Sequence, residues 1–255
     1  MSLPSSTHNL SALSAELVGK GRALYVPNYK PRDMILDHGK GSTVWDLDGN
    51  DYIEGGEGNN VLGGDAGDDI IYGANNNDLI YGGDGNDLMF GFGGFDEIYG
   101  FAGNDTIYGG ISSSVLEGGN GNDLLIGYDS WNIFTGGEGT DSMYGGLGQD
   151  TMYGDGGNDL ISAGGGDDAI FGWTGNDTMF GGDGNDFIGG DQDNDWVQGS
   201  NGNDFVQGGD GNDTIFGEAD NDSVNGDAGD DYVSGDDGND LANGGTGNRS
   251  EERRV

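Results

Sequence analysis

The sequence has no cysteine, only three prolines and very few basic residues. Without cysteine it forms no disulfide and no thiolate metal site. Eight Lys and Arg face 47 Asp and Glu, and the formal net charge of −39 excludes nucleic-acid binding by phosphate neutralisation and repels anionic membrane surfaces. No apolar run is long enough to cross a bilayer, and the N-terminus lacks the basic start and apolar stretch of a cleaved secretory signal.

Glycine is abundant, at 58 of 255 residues, and it recurs with a strict period. This composition is typical of disorder, but repeat architectures share it. An Asp stands at every ninth position from Asp51 to Asp240, over 22 repeats without insertion or deletion, and an apolar residue follows two positions later, from Ile53 to Ala242. The Asp is replaced at three positions, which are Asn60, Ser114 and Asn132. The unit is G-G-x-G-x-D-x-U-x, with U apolar.

This unit resembles the RTX (repeat-in-toxin, hemolysin-type) calcium-binding nonapeptide, and the resemblance covers residues 46–247. In that family each nonapeptide forms half a coil, in which the glycine-rich six residues make a turn and the last three a short strand. The resemblance therefore implies an all-β fold, a right-handed parallel β-roll with two repeats per coil. It also implies calcium ions between stacked turns, ligated by turn carbonyls and by repeat Asp side chains that lie 18 residues apart.

The physical chemistry of the spacing agrees with that fold. Glycine permits the positive φ angles and close backbone approach of a tight repeated turn. In a three-residue strand the U side chain points inward while its neighbours face outward. One apolar side chain per nine residues is a thin core, and stacked carboxylates repel, so we expect the chain without calcium to be largely unfolded. Ca²⁺ accepts six to eight oxygens from carboxylates and carbonyls, and its binding would supply folding free energy.

The 18-residue rule divides the repeat Asp residues into two rows along the roll. The first ladder is Asp51, Asp69, Asp87, Asp105, Asp123, Asp141, Asp159, Asp177, Asp195, Asp213 and Asp231. The second ladder is Asn60, Asp78, Asp96, Ser114, Asn132, Asp150, Asp168, Asp186, Asp204, Asp222 and Asp240. Their Asp residues are the predicted metal ligands. Adjacent Asp pairs number ten on the first ladder and six on the second, which predicts about 16 ions at most and an interruption near residues 109–135.

The ninth repeat position is rich in aromatic residues that should face outward in two rows. They are Tyr72, Tyr81, Phe90, Tyr99, Tyr108, Tyr144, Tyr153, Phe171, Phe180 and Phe216. Two interpretations stay open. The rings stack on one another along a thin sheet, or they form a contact surface for a partner chain, a glycan or a second roll.

The two ends differ from the repeats. Residues 1–45 hold all three Lys and both His, and residues 11–21 predict a short helix. Residues 22–57 resemble the N-terminal arm of class III aminotransferases of the acetylornithine type, through GKGSTVWDLDGNDYI at residues 39–53. The repeats that fill the rest of the chain leave no room for that family's cofactor domain and Schiff-base lysine. We therefore expect a Thr43–Ile53 strand that caps the first coil, and a charged tail at residues 248–255.

These observations predict a calcium-binding β-roll that is not an enzyme. There is no H-E-x-x-H zinc motif and no G-x-S-x-G elbow. The RTX resemblance implies an extracellular bacterial protein that is exported unfolded by a type I system and folds on meeting external calcium. The alternative is a calcium-dependent adhesion or ligand-binding module that uses the outward aromatic rows, by self-association or by binding a surface glycan.

Overall fold

The computed structural model describes residues 35–36, 43–45 and 49–247. These residues form 24 β-strands in two parallel sheets of 12 strands each. Consecutive strands alternate between the sheets, so two strands make one coil and the coils stack. The described residues contain no helix, and hence none that is long and apolar enough to cross a membrane. The predicted all-β parallel roll is confirmed.

The strands are short and regular. The odd-numbered sheet consists of β1 Ile35–Leu36, β3 Tyr52–Glu54, β5 Ile70–Asn75, β7 Leu88–Gly93, β9 Thr106–Tyr108, β11 Leu124–Ile126, β13 Ser142–Gly146, β15 Leu160–Gly165, β17 Thr178–Asp183, β19 Trp196–Asn201, β21 Thr214–Ala219 and β23 Tyr232–Ser234. The even-numbered sheet consists of β2 Thr43–Trp45, β4 Val61–Ala66, β6 Leu79–Asp84, β8 Asp96–Ala102, β10 Ser114–Asn120, β12 Ile133–Glu138, β14 Thr151–Gly156, β16 Ala169–Thr174, β18 Phe187–Gln192, β20 Phe205–Asp210, β22 Ser223–Ala228 and β24 Leu241–Asn243.

Neighbouring strands in each sheet pair with a register of 18 residues. Ile71 of β5 lies opposite Met89 of β7, and Ile80 of β6 lies opposite Ile98 of β8. Backbone bonds continue this pairing into the turns, where the Leu88 N–H donates to the Asp69 carbonyl at 2.8 Å. Two nonapeptides therefore complete one coil, as the repeat predicts.

The core is one file of side chains along the axis of the roll. Every U residue from Ile53 to Val233 is at most 1% exposed, and the last, Ala242, is 7% exposed. Phe134 is the largest of them. In the central coils the two positions beside U are only half-buried, as in β5 and β6, because a strand alternates its side chains between faces. The predicted inward direction of U is confirmed.

Many outward aromatic side chains stack along the roll. On the odd-numbered sheet the rings of Tyr72, Phe90 and Tyr108 are nearly coplanar in orientation, with centroids 5.0 and 4.9 Å apart. On the even-numbered sheet Tyr81 stacks on Tyr99 at 5.6 Å. These rings present their faces mainly to one another, so the stacking interpretation holds for them.

The expectation of one strand over Thr43–Ile53 is wrong. The segment contributes β2 to one sheet and β3 to the other, and Gly49 between them has a φ of 109°. This segment is already half a coil, because its D-G-N-D stretch supplies the repeat turn. Strand β1 pairs with β3, so strand pairing begins before residue 46. The helix predicted at residues 11–21 and the tail at 248–255 lie outside the described residues.

Candidate metal centre

Each repeat Asp lies at the end of a turn, directly before a strand or at its first residue. The repeat Asp residues from Asp69 to Asp231 are at most 3% exposed, while Asp51 and Asp240, in the first and last repeats, are half-buried. The local reason is the alternation of the strand. The Asp precedes U by two residues, so it points to the same side as U, into the corner between the two sheets.

The Asp side chains are joined from coil to coil by hydrogen bonds. The N–H of Asp69 donates to Oδ1 of Asp87 at 2.8 Å, and the N–H of Asp87 donates to Oδ1 of Asp105 at 2.7 Å. The first ladder repeats this bond without a break from Asp51 to Asp231. Along the second ladder, within the described residues, it is missing only between Asp96 and Ser114. The serine side chain is too short to reach.

The second carboxylate oxygen, Oδ2, is different. In the 17 repeat Asp residues from Asp69 to Asp231 it is buried and accepts no hydrogen bond from the protein. A buried carboxylate oxygen without a partner is costly, by several kcal/mol as an order of magnitude. Such an atom repeated in every coil calls for a cation.

Burial also changes the acidity of these groups. It raises the pKa of Asp69 to about 7 and that of Asp195 to about 8, and the N–H bond from the preceding coil only partly offsets this. The charges of the ladder neighbours add to the increase, as Asp177 and Asp213 do for Asp195. A cation beside the row would favour the charged carboxylates.

Glycine at the first repeat position leaves the space beside Oδ2 free. A Cβ on Gly64 would lie 2.0 Å from Oδ2 of Asp69 and 2.7 Å from the carbonyl oxygen of Gly82 in the next coil. The carboxylate oxygen and a turn carbonyl therefore face the same small volume. One repeat differs, because Ala163 occupies this position before Asp168 and is fully buried.

The two Asn residues of the second ladder reveal further oxygens around this volume. The Asn60 amide nitrogen donates to the carbonyls of Gly58 at 2.8 Å and Gly56 at 3.5 Å, and to Oδ1 of Asp78 at 3.2 Å. Asn132 donates to the Ser130 carbonyl at 2.6 Å and to Oδ1 of Asp150 at 3.1 Å. A positively polarised N–H group thus fits where Asp repeats place Oδ2, and it is surrounded by oxygens.

This oxygen set suits a hard cation with many ligands. No three His, Cys, Asp or Glu side chains of the described residues come together as a metal-binding group, so an ion here takes a large share of its ligands from backbone carbonyls. Ca²⁺ accepts such mixed sets in flexible geometry, whereas Mg²⁺ demands a near-ideal octahedron and Zn²⁺ prefers nitrogen and sulfur. The residues present fit calcium.

Sequence reasoning missed a second polar row beside the Asp ladders. The residue before the repeat Asp is Asn in most repeats, and its side chain also bridges coils. The Asn104 N–H donates to Oδ1 of Asn86 at 2.8 Å, and the Asn122 N–H donates to Oδ1 of Asn104 at 2.7 Å. These bonds run in the direction opposite to those of the Asp row. The recurring Asn-Asp pair in the sequence was the available signal.

Comparison with known proteins agrees with this geometry. The family model described as the RTX calcium-binding nonapeptide repeat (4 copies) matches eight segments: 45–80, 63–97, 81–116, 112–143, 126–161, 153–188, 189–224 and 216–250. An acetylornithine aminotransferase of Methanothermobacter thermautotrophicus is 42% identical over 41 residues, which are 16% of this chain. The chain spans only a tenth of that curated relative's length. From its repeats and its β-roll, the chain belongs to the family of RTX calcium-binding nonapeptide repeat proteins.

Proposed function

We propose that calcium ions bound between successive coils drive the folding of this roll, and that the folded roll is an extracellular structural or interaction module. The observation that carries the proposal is the row of buried Oδ2 atoms that accept no hydrogen bond. The proposed ligands are the 19 repeat Asp residues of the two ladders together with turn carbonyls. When bound, calcium would neutralise the carboxylates and link adjacent coils through shared oxygens.

Charge gives this proposal its direction. A formal charge of −39 opposes a compact chain, and about 16 divalent ions would nearly cancel it. At low calcium the carboxylates repel one another and the thin core cannot hold the coils together. At high calcium the same carboxylates become ligands, so the chain would fold on passing from a calcium-poor to a calcium-rich compartment. This behaviour suits export in an unfolded state, for which we propose a type I system of a bacterium.

We propose a non-enzymatic role, with residues 46–247 as the roll, residues 1–45 as an arm or cap and residues 248–255 as a tail. The short aminotransferase-like segment is no basis for transaminase activity, because it covers so little of that enzyme. Addition of pyridoxal phosphate should leave the absorbance spectrum equal to that of the free cofactor. A new Schiff-base band would contradict this part of the proposal.

The folding proposal is tested on the full chain after exhaustive treatment with a chelator. Circular dichroism and sedimentation velocity should report an expanded, mostly unstructured chain, which becomes a compact β-protein when millimolar calcium is added. Magnesium at the same concentration is the matched control, and it should produce little folding because the site is not octahedral. A chelated chain that stays compact and rich in β-structure would refute calcium-driven folding.

A further inference from the structure

The turns around the interruption of the second ladder carry apolar side chains found in no other turn. The third repeat position is a large aliphatic residue only at Ile111 and Leu147, and the fifth position is aromatic only at Phe95 and Trp131. We call these four residues the apolar turn patch. They come from four successive turns on one edge of the roll, within the segment where Ser114 and Asn132 replace Asp.

The apolar turn patch is open to solvent. Ile111 is 76% exposed, Leu147 69% and Trp131 48%. The rings of Phe95 and Trp131 lie 5.8 Å apart and are tilted by 48°, although a coil separates them in sequence. They therefore form an angled pair across the turn that holds Ser114, where elsewhere polar Asn side chains bridge the coils.

This segment is also built without carboxylates in its turns. Asn132 donates to the Ser130 carbonyl and to Oδ1 of Asp150, and the Ser130 hydroxyl donates to the Ile111 carbonyl at 3.2 Å. Strands β9 and β11, which lead into these turns, are three residues long, whereas their neighbours β7 and β13 have six and five. Neutral hydrogen bonds hold the turns here, so the patch is a fixed part of the roll.

Beside Trp131 a shallow groove continues over the even-numbered sheet. Ile133, Thr151 and Ala169 line it, and Asp167 lies at its edge. The Asp167 carboxylate is exposed and accepts two hydrogen bonds from Asn185, which holds its pKa below the usual value. The groove thus combines an indole face, a strip of small and apolar side chains and a fixed negative charge.

We propose that the apolar turn patch docks a cationic, apolar peptide segment of a partner protein. Charge decides the chemistry, because residues 41–248 contain no Lys or Arg while acidic residues surround the patch. A Lys or Arg side chain would lie along the Trp131 face and reach Asp167, and apolar neighbours would cover Ile111 and Leu147. Four side chains are too few for the interface of about 800 Å² per partner that a stable pair of rolls needs, and two acidic rolls repel each other.

Calorimetry on the full chain in saturating calcium tests the proposal. The probe is a short synthetic peptide of alternating Lys and Leu, compared with one of alternating Lys and Ser. The variant Ile111→Asn/Trp131→Asn installs residues common at these repeat positions, so the roll should still fold with calcium. Trp173→Gly is the matched control, since Trp173 is equally exposed at 48% but lies in a turn of the first ladder.

The Lys-Leu peptide should bind the wild type and the Trp173→Gly variant alike, and the double variant about tenfold more weakly. The Lys-Ser peptide should bind all three proteins equally, through charge alone. Equal affinity of the Lys-Leu peptide for all three would overturn the proposal. So would calcium-dependent dimerisation of the wild type that the double variant abolishes, because the occupant would then be a second roll.

Discussion

Replacement of Asp141 by Asn tests the calcium ladder most directly. Asp141 stands in the middle of the first ladder, where its N–H donates to Asp159 and its Oδ1 accepts from Asp123. Its Oδ2 accepts no hydrogen bond. An Asn here should behave as Asn132 does, with its amide nitrogen donating to the carbonyl two residues earlier. The amide would then occupy the place of an ion on either side of the substitution.

The magnitude follows from the number of Asp pairs that are lost. Asp141 belongs to two adjacent pairs, so Asp141→Asn should lower the bound calcium by two ions. Each site that binds only the folded state adds about 2.7 kcal/mol when free calcium is 100 times its dissociation constant. The free energy of unfolding in calcium should therefore fall by about 5 kcal/mol. In chelator the substitution removes one buried negative charge, so it should not destabilise any residual structure.

The assay combines metal analysis with urea unfolding at fixed free calcium. Ser114→Asn is the matched control, since Ser114 belongs to no Asp pair and its substitution should leave both the ion count and the stability in calcium unchanged. If Asp141→Asn binds as much calcium as the wild type and unfolds at the same urea concentration, the ions do not lie between ladder neighbours.

Four further outcomes are expected. Burial raises the pKa of Asp69 to about 7 and that of Asp195 to about 8, so without calcium the roll binds more protons than the unfolded chain and its stability falls as the pH rises through these values; chelated protein should show more β-signal at pH 5 than at pH 8, and an equal signal would contradict the shifts. Asn132→Asp creates one new adjacent Asp pair and should add one bound ion by metal analysis. Gly64→Ala places a Cβ against Oδ2 of Asp69 and should raise the calcium concentration at the folding midpoint, whereas an unchanged midpoint would show that the turn can adapt. Phe134→Ala removes the largest core side chain and should lower the free energy of unfolding in calcium by about 3–5 kcal/mol.

The repeat itself determined most of the architecture. A period of nine with one apolar residue allows only one inward side chain per half-coil, so the file of core residues and the 18-residue spacing of the Asp rows could be predicted from residue numbers. The interruption at Ser114 and Asn132 was visible for the same reason. The family resemblance identified calcium, and the oxygen set around Asp69 and Asn60 agrees with it.

Other features depended on the three-dimensional arrangement. The sequence marks Asp51 and Thr43 as parts of one extended segment, yet the chain turns at Gly49 and joins both sheets. That each Asp uses Oδ1 for the neighbouring N–H and leaves Oδ2 without a protein donor is decided by how two coils face each other. The nearness of the Phe95 and Trp131 rings has the same origin. Residues 36 positions apart meet there because coil stacking converts a long sequence separation into a short distance along the axis.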